Sequence, residues 1–567
     1  MDKKMKSVGV AASRATADDQ RWNNTDIIIS DHRHMINLAA PPPTPTRSTS
    51  TETLILGKDD YKQKVEEVRQ LLLESKDINN GTESLVYVED IQRVGFDHYF
   101  EEEIEMILGQ QYYNYNCTST TAACLHDVSL SFRLLRQQGY YVSADVFNNF
   151  KGKDGKFLEE LKQDIRGLMA LYEAAQLSLH GETIIDEAQD FSRLHLSAYL
   201  HQNCDNLCCD AEAITNTLTH PQHKTIPRLS SAKCGDHLLK GSKEWKKSLR
   251  ELVNMDFLIA KSLHQEELLQ ISKWWKDLGL VEKLPKARNQ AVKWYTWSMA
   301  SINDPRLSSQ RIELTKPIAF IYLIDDIYDL YGTIPELTLF TQAINRWDDT
   351  AIYMLPEYMR MSYKALVDTT NEIAHNIHKK HGHNPINALK AAWASLCDAF
   401  LIEARWFASG ELPTAQEYLA NGKVSTGVHV VLVHLFFLLG LGGLNDEINL
   451  DHTSKLTSSI AAILRLWDDL GSSKDEHQDG QDGSYITCYM KDEPNVSAKQ
   501  ARQHVVDMIL NEWRNLNQEC CRLNHFSAAC FKRYSLNLAR MVPLMYAYDE
   551  NQRLPLLEEY MRRALFD

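Results

Sequence analysis

From Tyr61 onward, apolar residues recur at every third and fourth position. VEEVRQLLLES (65–75), LVYVEDIQRVGF (85–96) and YFEEEIEMILGQQYY (99–113) each set an apolar stripe against a charged face. Strict alternation, the mark of a half-buried strand, is scarce, so an all-α fold is predicted. Asn79-Asn80-Gly81, Gly152–Gly155 and Thr219–Pro221 punctuate the helices as turns. The pattern lapses twice. Residues 1–56, with Asn23-Asn24, Pro41-Pro42-Pro43 and RSTSTET, are expected to be a disordered tail. The segment 216–242 is rich in Pro, His, Ser and Gly (HPQHKTIPRLSSAKCG) and is taken as a domain junction. A chain of 567 residues is too long for one ordinary domain. The expected division is the tail 1–56, a helical domain over 57–230 and a catalytic domain over 231–567.

The most apolar stretch is Val424–Leu444, VSTGVHVVLVHLFFLLGLGGL, nearly long enough to cross a bilayer. His429 and His434 interrupt it, while Ser425-Thr426-Gly427 and Gly440, Gly442 and Gly443 loosen its ends. A buried central helix is predicted, and no membrane span.

Against this apolar background two acidic stripes stand out. Ile318–Thr333 reads IAFIYLIDDIYDLYGT, and Asp325 and Asp329 are i and i+4, one helical turn apart, with Asp326 about 100° round. Ile321, Ile324, Ile327 and Tyr328 favour burial, and carboxylates beside them are costly unless their charge is neutralised. Arg465–Gly483 reads RLWDDLGSSKDEHQDGQDG, where Asp468, Ser472 and Glu476 fall at i, i+4 and i+8. Taken together the stripes form an all-oxygen ligand set, which selects Mg²⁺ or Mn²⁺ over zinc. Mg²⁺ completes its octahedron with water and phosphate oxygens, so a phosphorylated substrate is implied.

The formal charge of −15 argues against a nucleic-acid partner. It also means that a diphosphate would be repelled without divalent metal and a few placed cations. The eleven cysteines show no regular framework; Cys204, Cys208 and Cys209 cluster, but without zinc spacing. A reduced, intracellular protein is expected. A plastid transit peptide is Arg- and Ser-rich and poor in acids. Asp2, Asp18, Asp19, Asp26 and Asp31 weaken that reading, so a cytoplasmic location is expected, with the plastid as the alternative.

The acidic motifs Asp325–Asp329 (DDIYD) and DDLGSSKDE, with SKWWKDLGL (272–280), RIELTKPIAFIYLIDDIYD (311–329) and HQDGQDGSY (477–485), resemble the class I plant terpene synthases over nearly the whole chain. The resemblance implies an α-helical bundle with metal motifs at the mouth of an apolar pocket, and an N-terminal helical domain without its own activity. It implies three Mg²⁺ ions, a prenyl diphosphate substrate and a monomer. Asp325, Asp326, Asp329, Asp468, Ser472 and Glu476 then become metal ligands or their immediate support. Asp325, Asp329 and Asp468 serve the substrate through metal. Arg465 matches an arginine that holds the diphosphate, and Arg288 the first arginine of an Arg-x-Arg pair. Trp297 matches an aromatic that faces the carbocation, a contact worth roughly 0.5–2 kcal/mol. For at least two of Trp294, Tyr295 and Trp297, core packing suffices.

The chain departs from the family pattern twice. It reads Arg288-Asn289-Gln290, so the second arginine of the pair is lost. No Arg-Arg pair occurs in residues 1–60, where many monoterpene cyclases carry one. With HDVSLSFRLLRQQGYYVSADVFNNFKG (126–152), this resembles the subfamily that makes acyclic terpenes, notably linalool and nerolidol. A DxDD motif for protonation-started cyclisation is absent from both stripes, since Leu323 and Leu466 stand where it needs an aspartate. The expected activity is therefore ionisation of geranyl or farnesyl diphosphate, with Gln478–Ser484 closing over the pocket. Water then quenches the cation to linalool or nerolidol. The alternatives are acyclic hydrocarbons (myrcene, ocimene), a cyclic monoterpene or, from another class, a chain-elongating prenyl diphosphate synthase. A non-catalytic helical scaffold is the remaining rival, and metal-dependent release of pyrophosphate separates it from the enzymes.

Overall fold

The computed structural model describes residues 49–77, 82–117, 124–202, 209–227, 229, 242–348, 350, 352–443, 449–472, 483–523, 529–549 and 553–566. Among these the chain forms twenty α-helices and no strand, as the three-to-four periodicity predicts. In order they are α1 (Thr49–Glu74), α2 (Thr82–Val94), α3 (Glu101–Cys117), α4 (Leu125–Gln138), α5 (Ile165–Ala175), α6 (Thr183–Gln202) and α7 (Cys209–Thr219). There follow α8 (Lys243–Asp277), α9 (Ala291–Ser301), α10 (Ser308–Asp326), α11 (Ile334–Arg346), α12 (Glu357–His381), α13 (Ile386–Ser409), α14 (Ala415–Ser425) and α15 (Val428–Leu438). The last are α16 (Ser454–Ser472), α17 (Tyr485–Asp492), α18 (Ala498–Arg522), α19 (Ala529–Tyr546) and α20 (Pro555–Leu565).

Helix α1 begins at Thr49, inside the segment expected to be without structure. Ser and Thr cost only a few tenths of a kcal/mol in a helix, so the helical pattern downstream can extend back through them. Residues 1–48 lie outside the described part.

The chain divides into two compact units that do not follow chain order. One comprises Asp59–Lys261, Ser454–Ile463 and Asp507–Asp567; the other includes Ser262–Thr453 and Leu464–Val506. The change near residue 261 falls inside α8 and not at the Pro- and His-rich segment, because a long continuous helix can contribute to two cores. In the first unit, Trp245 stacks on Tyr87 at 3.9 Å and donates its indole N–H to Asp90 at 3.0 Å. Glu89, almost fully buried, accepts from Arg93 and Arg133 at 2.7 and 2.9 Å, so the buried charges there are paired.

The second unit carries both acidic motifs. Its centre is α9 against α10, with α15 packed on α10 and α13. A buried Arg311–Glu267 pair, bidentate at 2.9 and 2.6 Å, ties α10 to α8, and Tyr295 donates to the same carboxylate at 2.7 Å. The apolar stretch 424–444 is split: Gly427 takes φ +70°, ending α14 and opening α15, and a Cβ there would lie 2.8 Å from Ile321 of α10. Helix α15 has only 11 residues and is buried almost throughout. Ala415–Leu438 taken together is apolar and long enough to cross a membrane, but it lies mostly inside the protein.

Candidate functional site

The first acidic motif straddles a change in winding. Asp325 and Asp326 close α10, and Ile327–Tyr331 continue as a π-helical turn that holds Asp329. The simple i, i+4 picture is thereby altered, because the wider turn rotates Asp329 relative to Asp325. π-turns inside helices are frequent at functional sites. Gly332 ends the turn where a Cβ would lie 2.3 Å from Leu337, so only glycine lets the chain leave this way.

The three aspartates occupy different surroundings. Asp326 is buried, and its carboxylate accepts from the Arg288 backbone N–H and Nε, each at 2.7 Å. Burial pushes its pKa up to about 6, against the pull of Arg288. Asp325 is about one-third exposed and receives the Nη2 end of the same guanidinium. Asp329 is exposed on the π-turn, and desolvation by the protein packed around it, followed by repulsion from Asp325, holds its carboxyl well above the usual range. Arg288 also lies 4.8 Å over the Tyr322 ring, and the Tyr322 hydroxyl accepts from Trp297 Nε1 at 3.2 Å. Of the three aromatic candidates, Trp294 and Tyr295 are fully buried, while Trp297 keeps a sliver of exposure.

The second stripe lies on α16. The half-buried Asp468 is pushed up by the desolvation of its carboxyl, against Arg465; Asp325, Lys293 and Arg288 add smaller influences on it. The two motifs are therefore within electrostatic reach of each other. Arg465 donates to Asp468 at 3.4 Å and to Ser425 Oγ at 2.9 Å. Gly422 makes room for it, since a Cβ there would meet Arg465 at 3.1 Å. The side chain of Ser472 and all of Glu476 lie outside the described residues, as does most of the Gln478–Ser484 loop. Asp469 on α16, buried and raised to about 7 by desolvation, accepts from Tyr485 N at 3.0 Å and Tyr418 OH at 2.8 Å.

Two neighbouring residues were not singled out in the sequence. Glu403 on α13 accepts from Ser425 at 2.6 Å and Asn421 at 3.2 Å and lies 4.0 Å from Arg465. Its signal was a lone acid in the apolar run AFLIEARWF, opposed by Asn421 and Ser425 at i and i+4. Lys293 is buried on α9.

Among the described residues, no three carboxylates or imidazoles are gathered closely enough to enclose a cation by themselves. The chemistry of the donors fits Mg²⁺, a hard cation that takes carboxylate oxygens and keeps several waters. The donor set at hand, exposed or half-exposed carboxylates of Asp325, Asp329 and Asp468, is hard and anionic.

Two family models cover most of the chain: "Terpene synthase, N-terminal domain" matches residues 37–218, and "Terpene synthase family, metal binding domain" matches 276–515. The second range contains every candidate ligand. A tricyclene synthase from Antirrhinum majus, named as chloroplastic, is 51% identical over 93% of this chain and 92% of its own length. An (E)-nerolidol synthase from Cannabis sativa is 46% identical over 85% of this chain and 88% of its own. The isoprene synthase of grey poplar, solved with three Mg²⁺ ions and dimethylallyl-S-thiolodiphosphate, superposes with a TM-score of 0.81. It is 32% identical, covering 89% of this chain and 97% of that one.

Proposed function

The chain belongs to the terpene synthase family of lyases, and from that premise we propose that it ionises geranyl and farnesyl diphosphate and releases acyclic tertiary alcohols, linalool and nerolidol. Asp325, Asp329 and Asp468, joined by Ser472 and Glu476, would hold Mg²⁺. The nerolidol synthase and the Mg²⁺ complex of isoprene synthase support this reading. When bound, the metal neutralises charge developing on the leaving diphosphate. Asp326 holds Arg288 in place through two hydrogen bonds, and Glu403 with Ser425 holds Arg465. Within those ion pairs the two guanidiniums would add positive charge near the departing pyrophosphate. Trp297, fixed by Tyr322, offers its ring to the allylic cation.

The observation that carries the alcohol product is Gln290. It stands where the family's second arginine is lost, two residues after Arg288, and is 95% buried, yet neither amide atom has a hydrogen-bond partner among the described residues. A buried carboxamide without partners is a place for a retained water. The same substitution removes a bidentate cation that would hold the ion pair, so the cation is quenched early. The test is Gln290→Leu. We expect the alcohol fraction to fall in favour of ocimene and myrcene at unchanged substrate consumption; an unchanged alcohol fraction would refute the role of Gln290.

A cyclic product is the second reading, favoured by the 51% identity to a tricyclene synthase. That relative's name also favours the plastid, and the cytoplasmic expectation finds no support. We infer a plastid location, where the C10 substrate and linalool would be the pair used in the cell.

A further inference from the structure

We propose that Lys293 is a diphosphate-binding residue, supplying from the first turn of α9 a second cation beside Arg288; this rests on the reading that the site takes a prenyl diphosphate. Gln290, Lys293 and Trp297 follow one another at i, i+3 and i+7, so they share one face of the helix. The structure fixes where that face points. At one end Arg288 lies on the Tyr322 ring and pairs with Asp325; at the other Trp297 donates to the Tyr322 hydroxyl. In the order of that face Lys293 falls between Gln290 and Trp297, on the helix that packs against α10.

Its burial is the second observation. Lys293 is only 7% exposed, and lysines are almost never this buried unless anions surround them. Anions are at hand, since its charge is felt by Asp468 on α16 together with those of Arg465, Asp325 and Arg288. Arg288 is committed to Asp325 and Asp326, and Arg465 is shared among Asp468, Ser425 and Glu403. A flexible ammonium on this face could follow the phosphate oxygens of a bound diphosphate. It does so as a point charge, without the bidentate fork of an arginine. The site can thus assist departure of the leaving group while gripping the product pyrophosphate loosely.

The test is calorimetric titration of the full chain with inorganic pyrophosphate at saturating Mg²⁺, and with Mg²⁺ alone. In Lys293→Met, pyrophosphate affinity should fall by about tenfold or more, the usual scale of a lost hydrogen bond to a charged group. Mg²⁺ alone should bind as well or better, because a repelling charge has gone. Lys293→Arg should keep pyrophosphate binding within about threefold of wild type, and it serves where the Met variant does not fold. A structural role would weaken both ligands, and a mere counterion would leave pyrophosphate affinity unchanged; either result, or failure of Lys293→Arg to retain binding, overturns the proposal. If the wild-type protein binds no pyrophosphate with Mg²⁺, the diphosphate reading itself fails.

Discussion

Asp326 is the sharpest place to separate holding metal from holding an arginine. Both of its oxygens are taken by Arg288, through the backbone N–H and Nε at 2.7 Å each, in a buried setting. Asn keeps one acceptor oxygen but turns an NH₂ group toward a donor, so at least one hydrogen bond to a charged partner is lost. Such bonds contribute about 1.5–3 kcal/mol. If roughly 2 kcal/mol of that is felt in the transition state, kcat/KM falls about 30-fold. The Mg²⁺ concentration for half-maximal rate should move by less than about threefold if Asp326 acts by positioning Arg288 and not as a ligand. Asp325→Asn is the contrast: there the Mg²⁺ requirement should rise by about tenfold or more. Steady-state rates across a MgCl₂ series decide the matter. Recovery of Asp326→Asn to wild-type kcat at high Mg²⁺ would show that Asp326 ligates metal and refute the reasoning.

Asp325→Ala or Asp329→Ala should abolish turnover with unchanged helical circular dichroism, since removing like charges relieves repulsion; near-normal product formation at saturating Mg²⁺ would contradict it. Gln290→Arg should raise the cyclic share of the C10 products by restoring a bidentate cation, read by gas chromatography; an unchanged profile would separate product choice from this position. His434, fully buried on α15, is held down to about 4 from 6.5 by desolvation. The unfolded chain therefore takes up a proton below pH 6.5 that the folded chain refuses until about pH 4, so stability is full above 6.5 and falls with acid. His434→Leu should remove about 2 kcal/mol of the loss between pH 7.5 and about pH 5, measured by urea unfolding; an identical pH dependence would rule out the group.

How much was legible in the sequence follows from where the signals lie. Helical periodicity is local, and the all-α fold follows from stripes such as VEEVRQLLLES. The acidic motifs are also local runs, so their residues could be read directly from the chain. The surroundings of each carboxylate are a tertiary matter. Nothing in DDIYD shows that Asp326 turns to Arg288, or that the helix widens to a π-turn before Asp329. Glu403 reaches the site only because α13 and α14 pack side by side. The start of α1 at Thr49 and the break at Gly427 were blurred for another reason. Ser and Thr tolerate helix, and a single glycine marks a helix end only when a neighbour such as Ile321 presses on it.

The most direct measurement incubates the purified chain with geranyl and farnesyl diphosphate and Mg²⁺, with and without chelator, and identifies the volatiles by gas chromatography. The account predicts chelator-sensitive formation of mainly linalool from the C10 substrate and nerolidol from the C15 one. Mostly cyclic products such as limonene or tricyclene would contradict it, and mostly ocimene or myrcene would leave the ionisation standing while refuting the water.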